Sequence, residues 1–232
     1  MTLAPTGKAA FIASGATIHS VLHVPANQSL IYTRLDHQSL NTFRVNVSLI
    51  KVWFIDEISM TGNRMFSFIN QRLQEANNTS SPFGGVSVVA FGDFYQLLPV
   101  MDGFIFDDLS SSFSCNDEYR VLAPNLWKKL FTMFELTRII RQQDSRPFAE
   151  LLNRLRKGNH TAENLDLLHS RIITQDSPRY PRSAQHLFKT NSQVKTFNIS
   201  VYNSCTSQKY IVQSVDSVIG AVSEDMFRHI MN

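Results

Sequence analysis

Short apolar runs separated by polar stretches mark out the first part of the chain. The most apolar runs are Val52–Ile55, Val86–Phe91 and Leu130–Leu136. They are rich in β-branched and aromatic side chains, which is typical of strands buried on both faces of a parallel sheet. Between the first two runs, apolar residues recur every three or four positions from Met65 to Ala76, the spacing of an amphipathic helix. Strand, helix and strand in this order predict a βαβ unit and an α/β fold.

The pattern changes near Leu136, and helical spacing dominates afterwards. Ser145 is a candidate N-cap for a helix that Gly158 would end, and Thr161 is a candidate N-cap for the next helix. His186–Phe188 is predicted to form a short strand before a further helix. The change of pattern places a domain boundary at about residue 135. The two predicted domains are 1–135 and 136–232.

Composition narrows the class of protein but does not identify a partner. The chain has 232 residues and a net charge of +3, which permits nucleic acid as a partner without arguing for it. Its two cysteines form no Cys-x-x-Cys pair, so a disulfide scaffold or a cysteine-rich zinc site is not expected and a reducing compartment fits best. No apolar run reaches 18 residues, so no membrane span is expected.

Two adjacent carboxylates follow the first apolar run, in the string FIDEISM at residues 54–60. Ligands of α/β sheets bind beyond the carboxyl ends of the strands, which is where Asp56 and Glu57 are expected to lie. Asp56 can hold Mg²⁺, and Glu57 can orient or deprotonate an attacking water. A strand end carrying two solvated acids is an equally acceptable interpretation of this string alone.

A second strand end carries Gly92, Asp93 and, three residues later, Gln96. Glycine would let the backbone turn sharply at position 92. A glutamine at this position can hydrogen-bond the terminal phosphate of a nucleotide or its attacking water. Two acid-tipped strands with a helix between them are a much stronger signal than either strand alone.

The string APTGKAA at residues 4–10 resembles a phosphate-binding loop but fails its pattern. G-x-x-x-x-G-K-[ST] requires glycine where Thr2 stands and serine or threonine where Ala9 stands, so Lys8 is rejected as the nucleotide lysine. A strand-to-helix turn fits better, in which Thr6 and the first helical amides could hold a nucleic-acid phosphate. The segment Thr17–Ser20 adds further polar groups after a turn at Gly15.

The string FELTRIIRQQD at residues 134–144 brings two arginines after the third apolar run. An arginine from a second domain, here Arg138 or Arg141, can stabilise charge on a transferring phosphoryl group. An exposed arginine pair at a helix start is the simpler alternative, and this string alone favours it.

Taken together in this order, these strings and FAELLNRLRKG at residues 148–158 resemble the PIF family (petite integration frequency) of superfamily-one DNA helicases. The resemblance runs from about residue 2 to about residue 218. It implies two RecA-like domains of the P-loop NTPase fold that bind ATP and Mg²⁺ between them. It also implies 5′-to-3′ movement along single-stranded DNA and separation of duplex DNA, in repair, recombination or telomere maintenance.

The resemblance also implies roles for individual residues. Asp56 matches the metal ligand and Glu57 the water-activating acid of the family. Gln96 matches the glutamine that senses the terminal phosphate, and Arg141 matches the finger arginine. Leu98 stands where the family usually has a second proline. The residues that match its DNA-contacting segment are Pro5, Thr6, Gly7, Thr17 and His19.

Two parts of the family pattern are not found in the sequence. They are the phosphate-binding loop with its strand and lysine, and the last two motifs of the second domain. We therefore expect a RecA-like fold that is incomplete at both ends, a sheet without the strand that would lie beside the Asp56 strand, and little or no ATPase activity of the chain alone.

Other functions stay open on the sequence alone. One alternative is a catalytically inactive module that binds single-stranded DNA or a protein partner. An unrelated P-loop-type enzyme such as a small-molecule kinase is a third, which the glutamine strand and the RQ segment argue against. An intracellular location is expected, nuclear or mitochondrial in a eukaryote, while the oligomeric state is not predicted.

Overall fold

A computed structural model describes most of the chain, in several ranges that divide into two compact units. The units are Met1–Ser170 and Arg171–Asn232. The domain boundary near residue 135 stays a prediction. The described ranges are 1–25, 32–109, 125–140, 142, 145–174, 176–181 and 184–210.

A four-stranded parallel sheet forms the centre of the first unit, as the α/β prediction requires. Its strands are β1 (Thr2–Ala4), β2 (Ala16–Thr17), β3 (Val52–Ile55) and β4 (Ser87–Ala90), in the order β2-β1-β3-β4. Because β1 and β4 pair with β3 on its two sides, both edges of the Asp56 strand are occupied. The expectation of a missing strand beside it is therefore wrong.

Helices connect and flank these strands. In the first unit they are α1 (Gly7–Ile12), α2 (Ile18–Val21), α3 (His37–Val47), α4 (Asn63–Asn77), α5 (Leu126–Leu130), α6 (Arg146–Arg156) and α7 (Ala162–His169), with 3-10 turns at Ile58–Met60 and Pro82–Gly85. The second unit contains α8 (Asn191–Ser204). Within the described ranges, no helix has the length and apolar character needed to cross a membrane.

The helix predicted between the first two apolar runs is confirmed as α4, whose apolar positions are buried. The later helix signals are also confirmed. Ser145 occupies the N-cap position of α6, although its side chain makes no capping hydrogen bond, and Gly158 follows this helix with a φ of 72°. Thr161 forms a capping box with Asn164 at the start of α7.

Two predicted strands are wrong. The run Leu130–Leu136 is helical at its first residue, where α5 ends, and has no regular structure afterwards. The reason lies in aromatic packing, because Trp127 and Phe131 contact the ring of Phe66 on α4 instead of joining the sheet. His186–Phe188 is not a strand either: no strand is described in the second unit with which it could pair.

The hydrophobic core packs against one face of the sheet. Trp53 and Ile55 are buried with the apolar side of α4, including Met65 and Ile69. On the other face Val89 is 39% exposed and Phe91 is 48% exposed. The prediction that both faces are buried is therefore wrong for β3 and β4, because only one side of each of these two strands meets the core.

A buried arginine ties the segment after α2 to α4. Arg72 is 1% exposed; it donates to the carbonyl oxygens of Leu22 and Thr33 at 3.0 and 3.1 Å and pairs with Glu75 at 2.5 Å. Tyr32 donates to the same carboxylate at 2.6 Å. Burial, together with this hydrogen bond to Glu75, raises the pKa of Tyr32 above its usual range.

Candidate functional site

Asp56 and Glu57 follow β3 directly, at the carboxyl edge of the sheet. The amide of Asp56 donates to the carbonyl oxygen of Leu3 on β1 at 2.8 Å, which extends the strand pairing by one residue. Its Oδ1 then accepts a hydrogen bond from the amide of Glu57 at 3.0 Å. Glu57 has a φ of 51°, in the left-handed region that non-glycine residues rarely adopt. Both acids are half-buried and lie in a sharply turned segment.

The end of β4 lies against this acidic turn. Phe91 donates its amide to the carbonyl oxygen of Ile55 at 2.8 Å, and its own carbonyl accepts from the amide of Ile58 at 2.9 Å. A Cβ atom at Gly92 would lie 2.8 Å from the nitrogen of Ile58. Glycine is thus required here for close approach of two backbones. The turn itself does not require it, because Gly92 is not among the positive-φ glycines.

Asp93 organises the loop that carries Gln96. Its Oδ1 accepts from the amide of Tyr95 at 3.0 Å, and its carbonyl accepts from the amide of Gln96 at 2.9 Å. The side-chain amide nitrogen of Gln96 donates to Asp93 Oδ2 at 3.2 Å. The same oxygen is 2.7 Å from a guanidinium nitrogen of Arg156. The structure therefore brings the Asp93–Gln96 loop to the edge where the two acids lie.

The donor set at this edge fits Mg²⁺ when phosphate and water oxygens complete it. Asp56 offers a second carboxylate oxygen beyond the one that accepts from Glu57, and Mg²⁺ typically takes one or two carboxylates beside phosphates and water. Across the described ranges, no group of three histidine, cysteine or acidic side chains could hold a metal ion. A metal held by protein side chains alone is therefore not supported by the described residues.

The predicted DNA-contacting residues converge on the neighbouring strand ends. Ala4 pairs with Thr17 across β1 and β2, so the segments that follow these strands start side by side. Thr6 caps α1 by accepting from the amide of Ala9 at 3.3 Å. Thr17 caps α2 in the same way, accepting from the amide of Ser20 at 3.2 Å. Both hydroxyls thus take part in local hydrogen bonds.

The remaining members of this group differ in exposure. Pro5 is half-buried, while Gly7 and His19 are exposed. Lys8, rejected as the nucleotide lysine, is also exposed and lies in the first turn of α1. The exposed residues that follow β1 and β2 therefore include an imidazole and an ammonium group.

Two arginines differ from the other site residues, one because it is not described and one because the sequence did not predict it. Arg141 lies outside the described residues, so its role as the finger arginine stays a prediction. Arg156, which pairs with Asp93, was not anticipated. It stands in the last turn of α6, 63 positions along the chain from its partner. Its position in the string LNRLRKG marks a helix end, but no spacing rule links it to the β4 loop.

Known proteins resemble this chain along most of its length. The family model described as PIF1-like helicase matches residues 1–166. The ATP-dependent DNA helicase PIF1 of Candida albicans is 29% identical over 230 residues, which cover 93% of this chain and 24% of that protein. The ATP-dependent DNA helicase RRM3 of Saccharomyces cerevisiae is 27% identical over 221 residues, covering 92% and 28%. The chain thus spans about a quarter of the length of these relatives.

Solved structures share its fold. The Pif1 helicase from Bacteroides, in complex with ADP-AlF3 and ssDNA, has a TM-score of 0.66 and 26% identity over 90% of this chain and 48% of its own. The Pif1 helicase from Candida albicans has a TM-score of 0.71 over 99% of this chain and 49% of its own; at 24% identity this likeness concerns the fold alone. The RecA-like architecture is therefore confirmed. With its family model matched over more than half its length, the chain belongs to the PIF1-like helicase family.

Proposed function

We propose that this chain supplies part of the machinery of an ATP-dependent DNA helicase, which moves 5′ to 3′ along single-stranded DNA and separates duplexes. The observation that carries the proposal is the junction of β3 and β4. There the Ile58–Phe91 hydrogen bond holds the acidic turn against the end of β4, from which the loop of Asp93 and Gln96 continues. This is the edge at which α/β sheets bind their ligands.

Each residue at the junction has a role that its chemistry allows. Asp56 would hold Mg²⁺, which neutralises charge on the nucleotide phosphates when it is bound. Glu57 would accept a proton from the attacking water. Gln96 would orient the same water, and Arg141 is assigned to charge stabilisation.

The DNA-binding part of the proposal concerns the ends of β1 and β2. The segments that contain Pro5, Thr6 and Gly7, and Thr17 and His19, start from paired strands. Backbone amides and small polar side chains commonly contact nucleic-acid phosphates without reading sequence. This surface lies at the same sheet edge as the acids, so a nucleotide-dependent shift at β3 and β4 would reach the DNA strand through β1.

The experiment measures single-stranded DNA affinity of the chain with and without Mg²⁺ and a non-hydrolysable ATP analogue. The helicase proposal expects nucleotide to change this affinity, and Asp56→Asn to abolish the change while leaving affinity without nucleotide intact. Lys51→Gln, an exposed change ahead of β3, is the matched control. Affinity that is the same in all conditions would overturn the proposal.

A second candidate is supported by the same DNA-facing surface. In this alternative the chain is a non-catalytic module that binds single-stranded DNA or a protein partner independently of nucleotide. The pairing of β1 with β2 places the Thr6 and Thr17 segments side by side and favours this alternative, because these segments contain none of the residues assigned to the nucleotide. It expects DNA affinity that falls steeply with salt and is unaffected by the ATP analogue. Nucleotide-dependent affinity would exclude it.

A further inference from the structure

Arg156 is fixed at the site by two different contacts. One guanidinium nitrogen lies 2.7 Å from Asp93 Oδ2, a distance typical of charge-assisted hydrogen bonds. Its Cζ atom lies 4.9 Å from the centre of the Tyr95 ring, within the range of cation–π attraction. Both partners belong to the loop of Gln96, so the end of α6 is attached to this loop at two points.

The helix that carries Arg156 is itself anchored. Ala149 and Leu151 on α6 are 5% and 2% exposed, although most of the helix faces solvent. Because these two residues pack the helix against the protein, the backbone position from which the Arg156 side chain extends is fixed. Arg156 also lies in the last turn of the helix, where a positive charge is favoured.

Asp93 determines which end of the Gln96 amide is available. A carboxylate is only an acceptor, so the side-chain nitrogen of Gln96 must face Asp93 and its oxygen must face away. The same Oδ2 atom receives Arg156, which keeps the carboxylate oriented toward Gln96. In this arrangement Oε1 of Gln96 is left to accept a hydrogen bond from a donor such as a water molecule.

We propose that Arg156 is a positioning residue for Gln96: acting through Asp93, it holds the carboxamide with its nitrogen on the carboxylate and its oxygen available to accept a hydrogen bond. The inference rests on the proposed function for the role of Gln96, but the contacts among the three side chains do not depend on that role. Gln96 would therefore orient the attacking water as an acceptor, and α6 would follow any movement of the β4 loop.

The link contributes orientation more than stability. The side chains of Arg156 and Asp93 are 40% and 21% exposed, and partly exposed ion pairs contribute little to the free energy of unfolding. Removal of Arg156 should consequently leave the fold in place while it frees the Gln96 amide. A merely structural role would show the opposite result, with a stability loss and an unchanged amide.

The experiment uses ¹⁵N NMR of the nucleotide-free chain, following the side-chain NH₂ signals of Gln96, which are assigned by their loss in Gln96→Glu. In Arg156→Ala and in Asp93→Ala these signals should move to the position of a solvated glutamine amide. In Arg156→Lys, which keeps the charge, they should move part of the way. Arg146→Ala is the matched control, because it removes a surface pair with Glu150 from the same helix.

Salt supplies a second test that needs no variant to fold. Raising the ionic strength from about 0.1 to about 1 M shortens the screening length to about 3 Å, so it should move the wild-type signals toward those of Arg156→Ala. Unchanged Gln96 signals in a folded Arg156→Ala, or in wild type at high salt, would overturn the inference. Where ATP is turned over, Arg156→Ala should lower the turnover number about tenfold with KM unchanged.

The two proposals fail in distinguishable ways. If Gln96 responds to Arg156 but nucleotide has no effect on DNA affinity, the positioning link stands and the helicase proposal fails. If nucleotide changes DNA affinity but the Gln96 NH₂ signals are unchanged in Arg156→Ala, the helicase proposal stands and the positioning link is wrong.

Discussion

The carboxylate of Asp102 accepts a hydrogen bond from the backbone amide of Met65 at 3.1 Å, so a loop beyond β4 caps the helix that follows β3. It also accepts from the amide and the guanidinium of Arg64, and its side chain is 4% exposed. The N-cap residue of α4, Gly62, has no side chain to do this. A segment that follows β4 is therefore attached to the first turn of α4, in addition to the contact between β3 and β4.

Gly62→Ala should destabilise the chain because it displaces this cap. A Cβ atom at residue 62 would lie 2.3 Å from the carboxylate of Asp102. We expect a loss of about 1–3 kcal/mol in the free energy of unfolding, measured by urea denaturation. Gly7→Ala is the control, because nothing lies within 4 Å of a Cβ atom at that position. Equal effects of the two substitutions would contradict the capping role.

Arg72→Met should be strongly destabilising. It removes donors from the carbonyl oxygens of Leu22 and Thr33 and leaves the carboxylate of Glu75 without its cation. Breaking a buried pair in this way costs about 3–5 kcal/mol, to be measured by chemical denaturation. Arg146→Met, which breaks an exposed pair on α6, should change stability by less than about 1 kcal/mol. A small effect at position 72 would mean that the network contributes little.

Thr61→Val should stabilise the chain. Thr61 is 1% exposed, and its hydroxyl has no hydrogen-bond partner among the described residues. Replacing the hydroxyl with a methyl group removes an unsatisfied polar atom of nearly the same size, for an expected gain of about 1 kcal/mol. The thermal unfolding midpoint reports it. A lower midpoint would indicate that the hydroxyl is hydrogen-bonded to a buried water.

Glu57→Gly should separate stability from catalysis. The left-handed backbone at Glu57 costs a non-glycine residue about 1 kcal/mol, and glycine removes that cost. Glu57→Gln retains the strained backbone, so its stability should match the wild type. Both variants remove the carboxylate that we propose as the proton acceptor. Denaturation curves in which glycine gains nothing over glutamine would show that the turn is unstrained.

Asp36 should give α3 a stability that depends on pH. Its carboxylate caps the helix by accepting from the amides of Gln38 and Ser39, each at 3.0 Å. Hydrogen bonding with Ser39, to its side chain and then its backbone, lowers the pKa of Asp36 below its usual range. Because the folded pKa is the lower one, this stabilisation is present above the unfolded value and is lost as the pH falls.

Asp36→Asn isolates this contribution, since asparagine also caps helices but does not ionise. The denaturation midpoint of the wild type should exceed that of Asp36→Asn at pH 6, and the difference should shrink as the pH falls below about 4. Measuring the difference removes the effect of carboxylates common to both proteins. A difference that is constant with pH would contradict the assignment.

Local pattern was sufficient to predict the elements that position the site. The apolar runs at β3 and β4, the spacing along α4 and the capping signals at Thr161 each depend on residues close in sequence. The contact between the end of β4 and the turn after β3 follows from the rule that parallel strands present their carboxyl ends at one edge. These features are therefore readable without any knowledge of tertiary contacts.

The errors arise where long-range packing decides the result. The run after α5 has strand-like composition, but the rings of Trp127 and Phe131 pack with Phe66 and leave it outside the sheet. The contacts of Arg156 and Asp102 join residues far apart in the chain. No periodicity connects them, so sequence alone identified neither the contact of Arg156 with the Gln96 loop nor the capping of α4 by Asp102.

The order of strands predicts that the two parts of the proposed site open locally at different rates. Asp56 and Glu57 extend from β3, which is paired on both sides, whereas Gln96 follows β4, which pairs with β3 alone among the described strands. Edge strands open more readily than central ones, so amide hydrogen exchange should be faster along β4. Partial opening of the sheet would therefore displace the loop of Gln96 before it displaces Asp56 and Glu57. In the partly open molecules the two carboxylates would still lie at the end of an intact β3.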